Sequence, residues 1–117
     1  MDTKLIIAAI AVVLLIVIYL MYYSSSSGAF IGNYADSAAP GGRDFEKIIS
    51  PPGSLWTWSQ CHEAAKKSGY KYFAIQGGGE CHVGNSFGKY GPSTSKVAYD
   101  NSGHAMGGPY VNSVYMV

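Results

Sequence analysis

The sequence predicts an α+β protein: a single N-terminal transmembrane helix, then a small domain with one helix packed on a short antiparallel sheet. Three observations carry that prediction. Leu5 to Tyr23 runs for nineteen residues without a charge, amide, hydroxymethyl group, Gly or Pro. Thr57 and Gln60 bracket the start of a helical pattern in the way a capping box requires. Directly after that pattern, the aromatic, alternating stretch Tyr70–Gln76 meets Gly77-Gly78-Gly79 and an apolar return over Glu80–Val83, the mark of a hairpin.

The first element is read as a membrane anchor over 1–23. Nineteen residues at about 1.5 Å rise make a helix of roughly 28 Å, close to the ~30 Å hydrocarbon thickness of a bilayer. The run has no polar stripe, which a helix on the surface of a soluble core would show. Leu5, Leu14 and Leu20 stand for its lipid-facing body, and Tyr19, Tyr22 and Tyr23 for an interfacial belt at its C-terminal end. The apolar run exceeds the 7–15 residues usual for a signal-peptide core, so an uncleaved anchor is expected rather than a leader removed near Ser24–Ser27. Lys4 is the only flanking base nearby, the next being Arg43, and the positive-inside rule places the N-terminus on the cytoplasmic side or its topological equivalent.

Residues 24–28 form a Ser-rich connector, and 29–117 the small domain. Ala29-Phe30-Ile31 reads as a short strand. Residues 35–56 read as loop, punctuated by Pro40-Gly41-Gly42 and Pro51-Pro52-Gly53, with one short helical pattern over Arg43–Ile49. The clear helix is Trp58–Ser68, closed by Gly69, with Trp58, Cys61, Ala64 and Ala65 on its apolar face. The Gly- and Pro-rich stretch 84–109 reads as loop around a short strand near Lys96–Tyr99, and Tyr110–Val117 as a final strand.

Charge narrows the function classes. Residues 24–117 carry seven Lys/Arg and six Asp/Glu, a balance of +1. A near-neutral domain lacks the basic face that nucleic-acid binding needs, and lacks a polybasic lipid-binding patch. The chain fits one ordinary domain, not separate cofactor and substrate domains, and has no repeat period of a solenoid.

Candidate chemistry is sparse. Cys61 and Cys81 are the only cysteines. The helix-then-hairpin order can bring them within disulfide range, closing a loop of about 20 residues that would stabilise a small glycine-rich domain by roughly 3 kcal/mol; two buried thiols are the alternative. Cys61-His62 and Cys81-His82 put four zinc-type ligands in the chain, but adjacent residues diverge on a helix or strand and the recurring zinc spacing is missing, so no metal and no cofactor are expected. Gly77-Gly78-Gly79-Glu80 lacks the Lys-Ser/Thr of a phosphate cradle and precedes a strand, so it reads as a turn. His104 is a loop histidine without an evident partner, and no Asn sits in a glycosylation triplet. No paired acid and base or nucleophile constellation is visible, which points away from an enzyme. Ten tyrosines remain to be explained. Tyr90, Tyr99 and Tyr110, beside glycine-rich loops, are the candidate contacts with a partner, a protein first and a glycan second.

The stretch 61–85 resembles the WSC domain. It has a helix cysteine (Cys61), then Gly69-Tyr70-Lys71-Tyr72-Phe73-Ala74-Ile75-Gln76, then Gly78-Gly79-Glu80-Cys81 and Gly84-Asn85. Upstream, Ile31-Gly32-Asn33-Tyr34-Ala35-Asp36 is similar to the family's opening Gly-Cys-Tyr-x-Asp, with Asn33 in place of the cysteine. Downstream, Asn112-Ser113-Val114-Tyr115 is similar to the closing strand of related viral sequences. Val83 stands where a further cysteine is usual, leaving one disulfide at most. The resemblance implies a WSC/PAN-like fold and a carbohydrate-binding module of a cell surface. The membrane-anchored, cysteine-poor form resembles minor capsid proteins of large DNA viruses of algae and amoebae, and implies a structural protein between an internal virion membrane and the capsid shell. The expected partners are therefore the lipid bilayer and other capsid or membrane-associated proteins, with a glycan on a cell-surface membrane as the alternative.

Overall fold

The structure, a computed structural model, describes residues 2–24, 28–39 and 42–117, the side chains of 21–24 excepted. Most of the expected connector, the Pro40-Gly41 pair and the side chains of Tyr22 and Tyr23 lie outside the described residues.

Helix α1 spans Thr3–Ser24. The Asp2 carboxylate accepts the Lys4 N–H at 3.0 Å, satisfying one of the open donors of the first turn. At 22 residues the helix is about 33 Å long, and its apolar window Thr3–Leu20 is long and apolar enough to cross a membrane. None of that window is buried in protein; Leu5, Leu14, Tyr19 and Leu20 are all exposed.

The domain is α+β. Strands β1 (Phe30–Ala35), β2 (Lys47–Ile48), β3 (Tyr72–Gln76), β4 (Glu80–Gly84) and β5 (Val111–Met116) form one sheet in the order β1-β5-β3-β4-β2, antiparallel throughout. Helix α2 (Trp58–Ser68) starts and stops where the sequence predicts. The Thr57 hydroxyl accepts the Gln60 N–H at 3.1 Å and the Gln60 side chain accepts the Thr57 N–H at 2.9 Å. Gly69 then turns the chain at φ 78°, a left-handed conformation that costs glycine little.

One face of the sheet is covered by α2 and residue 106. Cys61, Ala65, Phe73, Ile75, Cys81, Val83, Met106 and Tyr115 make its core. Cys61 and Cys81 are disulfide-bonded, with Cα atoms 5.5 Å apart. On the other face Phe45, Ala74 and Val114 pack together, with Tyr34 of β1 and Phe87 of the loop after β4 against them.

Three local expectations are corrected. Arg43–Ile49 is not helical: 44–46 bend and Lys47–Ile48 pair with β4 as β2. A helix that short cannot recover its nucleation cost locally, whereas the extended path buries Phe45 and gives the Ile49 N–H the Cys81 carbonyl at 2.9 Å. Lys96–Tyr99 is not a strand but contributes one bridge, Tyr99 to Ala105, because the chain doubles back on the Asp100 side chain, which accepts the Ser102 and His104 N–H groups. The strand at Ala29–Ile31 extends to Ala35, paired to β5 throughout the rest of its length.

Candidate functional site

The pairing register gives the sheet two distinct ends. Phe30 lies opposite Tyr115 and Tyr72 opposite both Met116 and Gly84, so the start of β1, the start of β3 and the ends of β4 and β5 share the end nearer α1 in the chain. The hairpin turn 77–79, the end of β1 and the start of β5 share the far end.

At the far end a polar network is built on β1, β3 and β5. Gln76 lies directly opposite Asn112, and Asn112 opposite Tyr34. The Gln76 amide donates to Asp36 Oδ2 at 2.7 Å and to Asn112 Oδ1 at 3.0 Å. Arg43 donates from Nη1 to Asp36 Oδ2 at 3.1 Å and to Gln76 Oε1 at 3.2 Å. Asp36 Oδ1 accepts the Asp44 N–H at 2.8 Å. Burial pushes the Asp36 pKa up, but the hydrogen bonds from Asp44, Gln76, Ser37 and Arg43 together outweigh it and hold the carboxyl below its ordinary value. Both carboxylate oxygens are thus engaged, and the group acts as a hub that ties the 36–44 loop to the sheet.

Two of the three candidate tyrosines converge on this loop. Arg43 sits over the Tyr110 ring, 5.7 Å from its centroid, and the Tyr90 hydroxyl donates to the Gly42 carbonyl. Tyr110 is half exposed and holds φ at 53°, the only positive φ of a non-glycine residue among those described. Its carbonyl accepts the Asp36 N–H at 2.9 Å, which fixes that strained conformation. Beside the ring, Asp36–Ala39 and Tyr110 line an open depression of about 430 Å³. Gly107 supports the same end: at φ 69°, any Cβ there would sit 2.2 Å from the Ile75 carbonyl oxygen. Tyr99 is not part of this group; it is exposed on the separate 98–106 excursion.

The histidines take positions that sequence reasoning does not reach. His104 has partners after all: its Nδ1 lies 2.9 Å from Asp100 Oδ2, and its ring stacks on Trp58 with centroids 4.1 Å apart. His62 is buried against Phe73, with Nε2 3.0 Å from the Val117 oxygen. His82 is fully buried under Phe45, with Nε2 2.7 Å from Glu80 Oε1. Burial lowers its pKa, and the neighbouring Glu80 carboxylate opposes that only in part. Cys61 and Cys81, bonded to each other, offer no thiolate to a metal. The Asp36–Arg43–Gln76–Asn112 network escaped notice because its members are far apart in the chain. Its one local trace is Gln76, a polar residue closing an otherwise apolar strand.

Compared with known proteins, the chain matches no protein-family model and no curated relative.

Proposed function

We propose that this chain is a non-enzymatic, membrane-anchored structural protein: α1 sits in a bilayer, and residues 29–117 hold a protein layer against it through the far end of the sheet. The observation that carries the reading is Tyr110, an exposed ring in a strained backbone conformation, fixed by Asp36 and stacked on Arg43. A ring held rigid before contact loses little entropy on binding, and strain of this kind is retained where a surface has work to do. Tyr90 and the glycine-rich turns beside it extend the surface, and Tyr99 supplies a second, separate contact. With a balance of +1, the domain relies on shape and apolar contact rather than on long-range steering. The bilayer anchor raises the local concentration, so each contact can be weak.

In its finer form, drawn from the sequence resemblance to WSC-like minor capsid proteins, the layer is a viral capsid and the bilayer the internal membrane of the virion. The glycan reading draws on the same Tyr110 ring and the polar groups at its side. One experiment separates the two. A photoreactive side chain at position 110 of the full-length protein in its native membrane is expected to give covalent adducts with a protein. Glycan binding by the full-length protein that is lost on Tyr110→Ala, without any protein adduct, would instead establish a membrane-displayed sugar-binding module.

A further inference from the structure

The near end of the sheet has a composition of its own. Phe30, 51% exposed, and Met116, 40% exposed, are the large apolar side chains left open there. The Met116 N–H donates to the Ala29 carbonyl at 2.9 Å, so β1 and β5 bring the two to one end of the sheet, Phe30 on the face of Tyr115 and Met116 on the other. Helix α2 delivers its C-terminal turn to the same end, because Gly69 returns the chain to β3 at Tyr72 within three residues. Lys71 is exposed at this end, and its carbonyl accepts the Val117 N–H at 3.0 Å. Lys66, on the last turn of α2, is paired to Glu63 at 3.2 Å, so Lys71 carries the charge here. Glu46, the carboxylate that approaches from the loop side, accepts the Asn85 N–H at 3.1 Å.

Chain length decides what meets this surface. Six Cα-to-Cα steps separate Ser24, the last residue of α1, from Phe30, the first of β1. Fully extended they reach about 20 Å. A 22-residue helix is only a few ångströms longer than the hydrocarbon core, so Ser24 leaves the bilayer within the headgroup layer. The Phe30 end of the domain is therefore tethered beside that layer. On the reading of α1 as a membrane anchor, we propose that the near end of the sheet is a lipid-contact surface. Phe30 and Met116 enter the headgroup–acyl boundary of the leaflet that α1 leaves, and Lys71 meets phospholipid phosphates. A contact made by two apolar side chains and one lysine needs no polybasic patch. The contact also sets direction: with the near end on lipid, the Tyr110 end points away from the membrane.

The test uses the full-length protein reconstituted in phosphatidylcholine vesicles, with and without phosphatidylserine. A photoreactive phenylalanine analogue is placed in turn at positions 14, 30, 116 and 110, and adducts with lipid are read by mass spectrometry. The proposal expects lipid adducts at 14, 30 and 116, and none at 110. Adducts at 14 with none at 30 or 116 would overturn the contact surface and leave the anchor standing. No adduct at 14 would overturn the anchor and the proposal with it. In vesicles with phosphatidylserine, Lys71→Gln is expected to lower the adduct yield at 30 several-fold. An unchanged yield would remove Lys71 from the contact.

Discussion

On the face covered by α2, Phe73, Ile75, Val83 and Tyr115 pack around the Cys61–Cys81 bond, with the Phe73 and Tyr115 rings 5.1 Å apart and nearly parallel. On the opposite face, Phe45, Ala74 and Val114 share the interior with Asp36, Gln76, His82 and Asn112, all buried. The first face is held mainly by non-directional burial and one covalent link, with His62 and the Tyr115 hydroxyl each bonded to one backbone oxygen. The second depends on directional bonds among groups that are costly to leave unpaired. Asn112 Nδ2 and His82 Nδ1 already have no hydrogen-bond partner there. The polar face is the one that positions Arg43 over the Tyr110 ring.

The strongest way to break this contrast is to empty the apolar face. Phe73→Ala removes a fully buried ring that touches Trp58, His62 and Tyr115, and is expected to cost about 4 kcal/mol in denaturant unfolding of the full-length protein in detergent. Next comes the staple. The Cys61→Ser, Cys81→Ser double variant is expected to lose about 3 kcal/mol, through the freedom restored to a loop of 20 residues in the unfolded chain. Equal stability with and without the bond would show that apolar packing alone seats α2.

On the polar face, Asp36→Ala strips acceptors from Arg43, Gln76 and the Asp44 N–H, and about 2 kcal/mol of destabilisation is expected. Unlike the two changes above, it should also loosen Arg43 beside position 110 while keeping the backbone bond from the Asp36 N–H, read as a changed adduct pattern from a photoreactive group at 110.

A pH titration sharpens the contrast without mutation. Burial lowers the pKa of His82 in the fold despite Glu80. The unfolded chain protonates it near the ordinary value of 6.5, so below that pH the unfolded state binds more protons and stability falls as pH drops toward the folded pKa. Asp36 adds a second loss below its ordinary 3.8, since its folded pKa is also lowered. Between about pH 7 and pH 5, wild-type stability should fall more than that of His82→Leu. Parallel curves would clear His82 of the effect. The smallest change concerns neither face: Thr57→Ala should cost about 1 kcal/mol by uncapping α2, a thermal shift of a few degrees.

Legibility followed the range of the interactions. Helix α2 was readable to the residue because its start and stop rest on contacts three residues apart, Thr57 with Gln60, and on a glycine at Gly69. The β3–β4 hairpin was readable because Gly77-Gly78-Gly79 marks the only reversal compatible with two alternating strands. The segment 43–49 misled for the opposite reason. Its apolar spacing suits a helix, but the bonds that fix it come from Asp44 to the Gly88 and Lys89 N–H groups, more than forty residues away. The tyrosines were visible as candidates, yet nothing local distinguishes Tyr90 and Tyr110, which share the 36–44 loop, from Tyr99, which does not.

The chain's own local chemistry therefore determined an apolar helix of membrane-spanning length, a capped amphipathic helix and a glycine-turned hairpin. Each is settled by torsional preference, hydrophobic period or hydrogen bonds within one turn. The tertiary structure decided that Cys61 meets Cys81, that Gln76 anchors Asp36 and Arg43, that His82 is buried while His104 stacks on Trp58, and that Phe30, Met116 and Lys71 share one end of the sheet. These outcomes depend on which strand lies across from which. That is set by the free energy of closing the whole sheet over its two covers, a quantity no short window of sequence contains.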